Sequence, residues 1–194
     1  SKFLELQQSS LNRIGVNPTF VAWTGRMGGD WLDGVDYEQR QPSPSESTAD
    51  DTAALVLDLI SVNVDAILYA GGDGTTRDIV NALDGHETPL IGVPAGVKMH
   101  SGCFATTPNA AAEVLLAFLQ GDLMVAITEV MDLDEEIYQR GEWKVRMYGE
   151  AWTPSSPRFM QGAKEQVERA SEAETIEGLA NHIGNLIEDD PELM

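Results

Sequence analysis

Cysteine is all but absent: Cys103 is the only one in 194 residues. That excludes an intramolecular disulfide and any metal site built on thiolates, and it points to a reducing, cytoplasmic setting. Positive charge is also scarce, with twelve Lys and Arg against thirty-two Asp and Glu and a net charge of −20. Nucleic acid and anionic membranes both need a positive footprint, so neither is expected as a partner. No apolar run reaches the roughly 18 residues needed to cross a bilayer, and the first residues lack a basic-then-apolar signal. The expectation is a soluble cytoplasmic protein that handles a small molecule. The same scarcity makes basic residues beside glycine or proline loops candidates for holding a polyanion, namely Arg77, Lys98, Arg158 and Lys164.

What the chain does have is the stretch DAILYAGGDGTTRDIVNAL over residues 65–83. Its apolar start, bounded by glycines, reads as a buried parallel strand. The chain then turns on Gly71-Gly72-Asp73-Gly74. Thr75 and Asp78 have capping-box spacing, and Ile79, Val80, Ala82 and Leu83 supply a helical apolar face that Asp84-Gly85 ends. A glycine-rich turn between strand and helix is where open α/β sheets hold ligands, because backbone N–H groups and the helix terminus attract anions. Asp73 would repel a bare phosphate, so it should face a sugar hydroxyl, a metal ion or both. That is the chemistry of a kinase acceptor site. Asp73 is the catalytic candidate, with Gly71, Gly72, Gly74, Thr75 and Thr76 as binding candidates.

Residues 89–93 form a second apolar run, followed by the loop Pro94-Ala-Gly-Val-Lys-Met-His-Ser101. Strand, helix and strand make a βαβ unit of fixed hand, which brings both loops to one edge of the sheet. Pro94, Gly96, Lys98, His100 and Ser101 are thereby placed next to Asp73 as further binding candidates. Elsewhere, residues 3–14 read as a helix and residues 17–23 as a strand. The loop over residues 24–29 either borders a ligand or simply connects. A helix capped by Ser47 and Asp50 precedes the central strand, and Thr107-Pro108 opens another. Residues 123–131 are strand-prone, and residues 143–149 alternate as a half-exposed antiparallel strand should. A loop with Arg158 and Lys164 then leads to a polar helix over residues 165–187. The fold class expected is α/β: a Rossmann-like three-layer domain with a mostly parallel sheet over residues 1–128, then a partial β-rich unit and a C-terminal helix over residues 129–194.

The Gly71-Gly72-Asp73-Gly74-Thr75 string resembles the signature shared by NAD kinases, diacylglycerol and sphingosine-type lipid kinases, and phosphofructokinases. The second loop, Gly92 to Ala105, narrows the choice. Together with Met131-Asp-Leu-Asp-Glu135 and Arg158-Phe-Met-Gln-Gly-Ala-Lys164, it is similar to the ATP-NAD kinase-like group that includes the AcoX-type proteins of acetoin catabolism. The resemblance runs from about residue 20 to residue 164. It implies an α/β nucleotide-binding domain joined to a β-rich domain, and phosphoryl transfer from ATP or polyphosphate to NAD with a divalent ion, expected to be magnesium. The metal ligands are not identified by it. Asp73 takes the place of the aspartate that contacts or deprotonates the acceptor hydroxyl. The loop N–H groups and Lys98 are expected to hold phosphates, with Arg158 or Lys164 closing from the second unit.

Two departures stand out. Asn17-Pro18 is followed by Thr-Phe-Val instead of a glycine-rich loop, and the strand and turn that family members carry after the last helix are not in the sequence. The expectation is a chain short at both ends, with an open sheet edge that favours a homo-oligomer. A non-catalytic dinucleotide-binding or regulatory module is therefore the alternative to an NAD kinase. A lipid kinase ranks third, since the second loop has no Asn-Asp pair and no basic amphipathic stretch faces a membrane.

Overall fold

A computed structural model describes residues 17–96, 99–133, 145–156 and 158–160. Lys98, Lys164, the helices expected over residues 3–14 and 165–187, and part of the expected β-rich unit lie outside the described residues. Six strands and three α-helices follow one another: β1 (Phe20–Thr24), β2 (Tyr37–Pro42), α1 (Ala49–Ser61), β3 (Ile67–Gly71), α2 (Asp73–Leu83), β4 (Leu90–Pro94), α3 (Pro108–Leu119), β5 (Val125–Leu133) and β6 (Val145–Pro154), with a single 3-10 turn at Gly29–Trp31 after β1. These counts are of the described residues, and none of their helices is long and apolar enough to cross a membrane.

The mixed α/β character matches expectation, but the sheet differs. Among the described residues the strands pair as three two-stranded ladders, with no single continuous sheet joining them: β1–β2 parallel, β3–β4 parallel and β5–β6 antiparallel. β5 crosses the expected domain boundary at residue 128 without interruption. Its partner β6 contributes Ala151 to the same apolar cluster as Ile79, Leu90 and Val130, and the Thr153 hydroxyl donates to the Leu90 carbonyl at 2.8 Å.

β4 positions the site because both of its faces are covered. Leu90 packs with Val56 and Leu59 of α1, Ile67 of β3 and Ile79 and Leu83 of α2, whereas Ile91 packs with Ala110, Ala111, Val114 and Leu115 of α3. Each of these buried valine, leucine and isoleucine side chains contributes about 1.5–3 kcal/mol through burial. β3 is covered on one face only: Ile67 is buried while Leu68 is 37 % exposed.

The helix starts follow local chemistry. Thr48 caps α1 through a capping box with Asp51, one residue later than the expected Ser47 and Asp50. Thr107 accepts from the Ala110 N–H, with Pro108 at the first helical position of α3. In α2 the buried residues Thr76, Ile79 and Leu83 fall at helical spacing. The chain leaves this helix through Asp84 in the left-handed region, at φ 46°. The β1–β2 ladder is tied to α1 by Asp58, which accepts from the Trp23 indole at 2.8 Å and the Arg40 guanidinium at 2.7 Å. The Arg40 hydrogen bond holds the Asp58 carboxyl below the usual carboxylate range.

Candidate functional site

The turn at residues 71–74 is built differently from the capping-box expectation. α2 starts at Asp73, two residues before Thr75, with Gly72 as a cap that has no side chain to offer. Among the described residues the first N–H groups of the helix therefore have no intrahelical or side-chain partner; the first α-helical bond here is from Thr76 N to Gly72 O.

The three glycines are there for different reasons. A Cβ on Gly71 would come within 2.7 Å of the Thr75 side chain, so the fold itself requires glycine at that position. A Cβ on Gly72 would meet nothing within 4 Å, and one on Gly74 only Asp132 Oδ2 at 3.9 Å. Packing demands glycine at neither, and the space beside both is open.

The two loops do share one edge. β3 and β4 are parallel with Gly71 opposite Pro94, and the Ala95 N–H donates to the Gly71 carbonyl at 3.2 Å. Gly96 is exposed. The second loop then reaches Asp73 directly. Asp73 Oδ2 accepts from the His100 backbone N–H at 2.8 Å and from His100 Nδ1 at 3.1 Å; Oδ1 accepts from the Ser101 N–H at 2.9 Å and the Ser101 hydroxyl at 2.6 Å. A carboxylate has about four lone-pair positions, and all are taken here. The Asp73 side chain is 9 % exposed and that of His100 29 %.

Ser101 is fully buried. Its oxygen accepts from the Met131 N–H at 3.0 Å and lies 2.9 Å from the Met131 carbonyl, so it pins α2, the second loop and β5 at one point. Thr76 is also fully buried, its hydroxyl donating to the Gly72 carbonyl at 3.1 Å. With that proton placed, Thr76 accepts from the Tyr69 hydroxyl at 2.6 Å, and Tyr69 accepts from Cys103 at 3.2 Å. Thr76 and Ser101 thus face inward and hold the turn. Thr75 packs over Gly71.

Of the basic candidates, Arg77 pairs with Asp132 at 3.0 Å and lies 5.3 Å above the Tyr148 ring, which links α2 to β5 and β6. Arg158 is exposed, 5.1 Å above the Phe159 ring, and is not joined to the Asp73 cluster. Among the described residues no three His, Cys, Asp or Glu side chains converge on a metal position. Two of the surface clefts lie elsewhere, one around Val80, His86 and Trp152 and the other around Arg26, Trp31 and Ser45.

The buried network through Tyr69 and Cys103 was not among the sequence expectations, although alternation along β3 places Ile67, Tyr69 and Gly71 on one face. Burial pushes the Cys103 thiol up to about 11 and Tyr69 well above its ordinary value. Because the fold favours the neutral thiol, this contribution to stability is fully present below pH about 9 and is lost as pH rises through about 11. At pH 8 the folded protein should therefore resist a disulfide reagent at Cys103, with labelling only as fast as unfolding; rapid labelling without denaturant would contradict the buried network.

The family profile described as the ATP-NAD kinase N-terminal domain matches residues 3–123. No curated protein and no solved structure matches the chain.

Proposed function

The chain belongs to the ATP-NAD kinase N-terminal domain family, and on that premise we propose that it binds NAD at the Gly72-Asp73-Gly74 turn and transfers a phosphoryl group to one of its hydroxyls from ATP or polyphosphate. The observation that carries this reading is the open space beside Gly72 and Gly74, next to a carboxylate at the carboxyl edge of two parallel strands. Among the described residues glycine at these positions has no packing reason, and close approach of a ligand supplies one.

In this reading Asp73 accepts the hydrogen bond of the acceptor hydroxyl and orients its oxygen. The N–H groups opening α2 and its dipole attract phosphate oxygens. As the hydroxyl oxygen bonds to the terminal phosphorus, the bridging P–O bond breaks, its electron pair leaves with the shortened donor, and the hydroxyl proton passes to Asp73. Positioning and charge neutralisation dominate such transfers, so an aspartate of ordinary basicity is adequate. Lys98 and Lys164 are further phosphate ligands in this proposal. A magnesium ion carried by the nucleotide phosphates needs only one or two protein carboxylates, and Asp132, beside Gly74 and shared with Arg77, is placed to offer one. When bound, the ion would neutralise phosphate charge.

The second reading is a dinucleotide-binding or regulatory module of the AcoX type, and one observation favours it: every acceptor position of Asp73 is already filled. Calorimetric titration with NAD beside an NADP-formation assay, with ATP and with polyphosphate, separates the two. The kinase reading expects NAD binding and NADP product that depends on a donor. Binding without product supports the module, and absence of NAD binding overturns both.

A further inference from the structure

The four donors around Asp73 are not equivalent. The His100 and Ser101 N–H groups are fixed by the backbone of the second loop, and the Ser101 hydroxyl is buried and pinned by Met131 on β5. The His100 imidazole is different. It makes the longest of the four bonds at 3.1 Å, and its side chain is 29 % exposed against 9 % for the carboxylate beneath it. It is also the one donor that rotation about a side-chain bond can withdraw while the other three stay in place.

We propose that the His100 imidazole holds the position on Asp73 Oδ2 that an acceptor hydroxyl must take, and that substrate binding displaces it. This rests on the functional reading above and deepens it. His100 Nδ1–H and a sugar O–H present the same donor to the same lone pair, so they compete. A ligand without a hydroxyl donor has nothing to exchange for the imidazole bond and is rejected. His100 is thus a positioning residue that sets the threshold for occupying Asp73, while the three remaining bonds keep the carboxylate oriented after the ring has swung away.

The reading makes a counterintuitive expectation, that removing a side chain from the site tightens binding. In His100→Ala a mobile water takes the vacated position and is displaced more easily than the tethered ring. NAD affinity measured by calorimetry should then rise about 3- to 10-fold, the scale of one net hydrogen bond. In the transfer assay KM for NAD falls by the same factor, with kcat within about twofold of wild type. His100→Asn, whose amide N–H lies where Nδ1 does, should return the affinity to the wild-type value. A purely structural histidine would give neither the tightening nor the return. His100→Leu, which fills the ring's space without a donor, carries the same expected tightening should the Ala chain fail to fold.

Wild-type NAD binding with unchanged or weaker binding in His100→Ala, or in His100→Leu where that variant replaces it, overturns the displacement and leaves the functional reading standing. No NAD binding by the wild type or any variant overturns the functional reading, and the displacement with it.

Discussion

Asp73→Asn is expected to lower NAD phosphorylation by about 10²- to 10⁴-fold, the usual contribution of a positioned proton acceptor, and to weaken the fold as well. The second effect follows from the geometry. Four donors converge on the carboxylate, two of them backbone N–H groups. An amide presents one acceptor oxygen and one NH₂ group, so at least one of the two N–H groups is left facing a donor. An unsatisfied buried donor costs about 1–3 kcal/mol, and at this chain length each kcal/mol lowers the melting temperature by about 2–4 °C. Turnover should therefore be measured well below the variant's own melting temperature. An Asn variant that keeps its rate removes Asp73 from the transfer; one that keeps its melting temperature removes the four-donor anchor.

The second large effect separates two neighbouring glycines. Gly71→Ala should destabilise by about 1–3 kcal/mol, because its Cβ would sit within 2.7 Å of Thr75 and neither backbone is free to move. Gly72→Ala should stay folded. Gly72 has φ −122° and ψ −169°, which any residue adopts, and its Cβ would meet no atom of the described residues within 4 Å. Its cost is that of a poorer helix cap, about 1 kcal/mol or less. The added methyl instead enters the open space beside the turn, and NAD affinity should fall at least about tenfold, on the order of 1.4 kcal/mol. Denaturant melts of both variants beside NAD titrations test the pair. If Gly72→Ala bound NAD as the wild type does, the open space would not be the ligand's.

How legible this was in the sequence depends on the range of the interactions. The turn could be read because glycine content, a flanking strand and a helical face are local, and the meeting of the two loops followed from one rule about parallel strands. The start of α2 was misread because Thr75 and Asp78 have the right spacing for a cap, while the cap in use, Gly72, has no side chain to signal it. Thr76 and Ser101 could be placed near Asp73 but not oriented. What turns them inward is packing at a distance, by Tyr69 and Cys103 for the one and by Met131 for the other. The division into three ladders was equally hidden, since apolar patterning marks a strand without naming its neighbour. The saturation of Asp73 was hidden too, because its four donors come from His100 and Ser101, far along the chain.

The account stands most directly on whether the space at Gly72 takes a dinucleotide. The measurement is the melting temperature of the wild-type chain with and without NAD, since a ligand that binds only the folded form must raise it. At about one hundred times Kd the expected stabilisation is about 2.7 kcal/mol, a rise of several degrees, and in Gly72→Ala at the same NAD concentration a tenfold weaker affinity cuts it to about half or less. A wild-type melting temperature that does not move with NAD, or an equal rise in both chains, would contradict it.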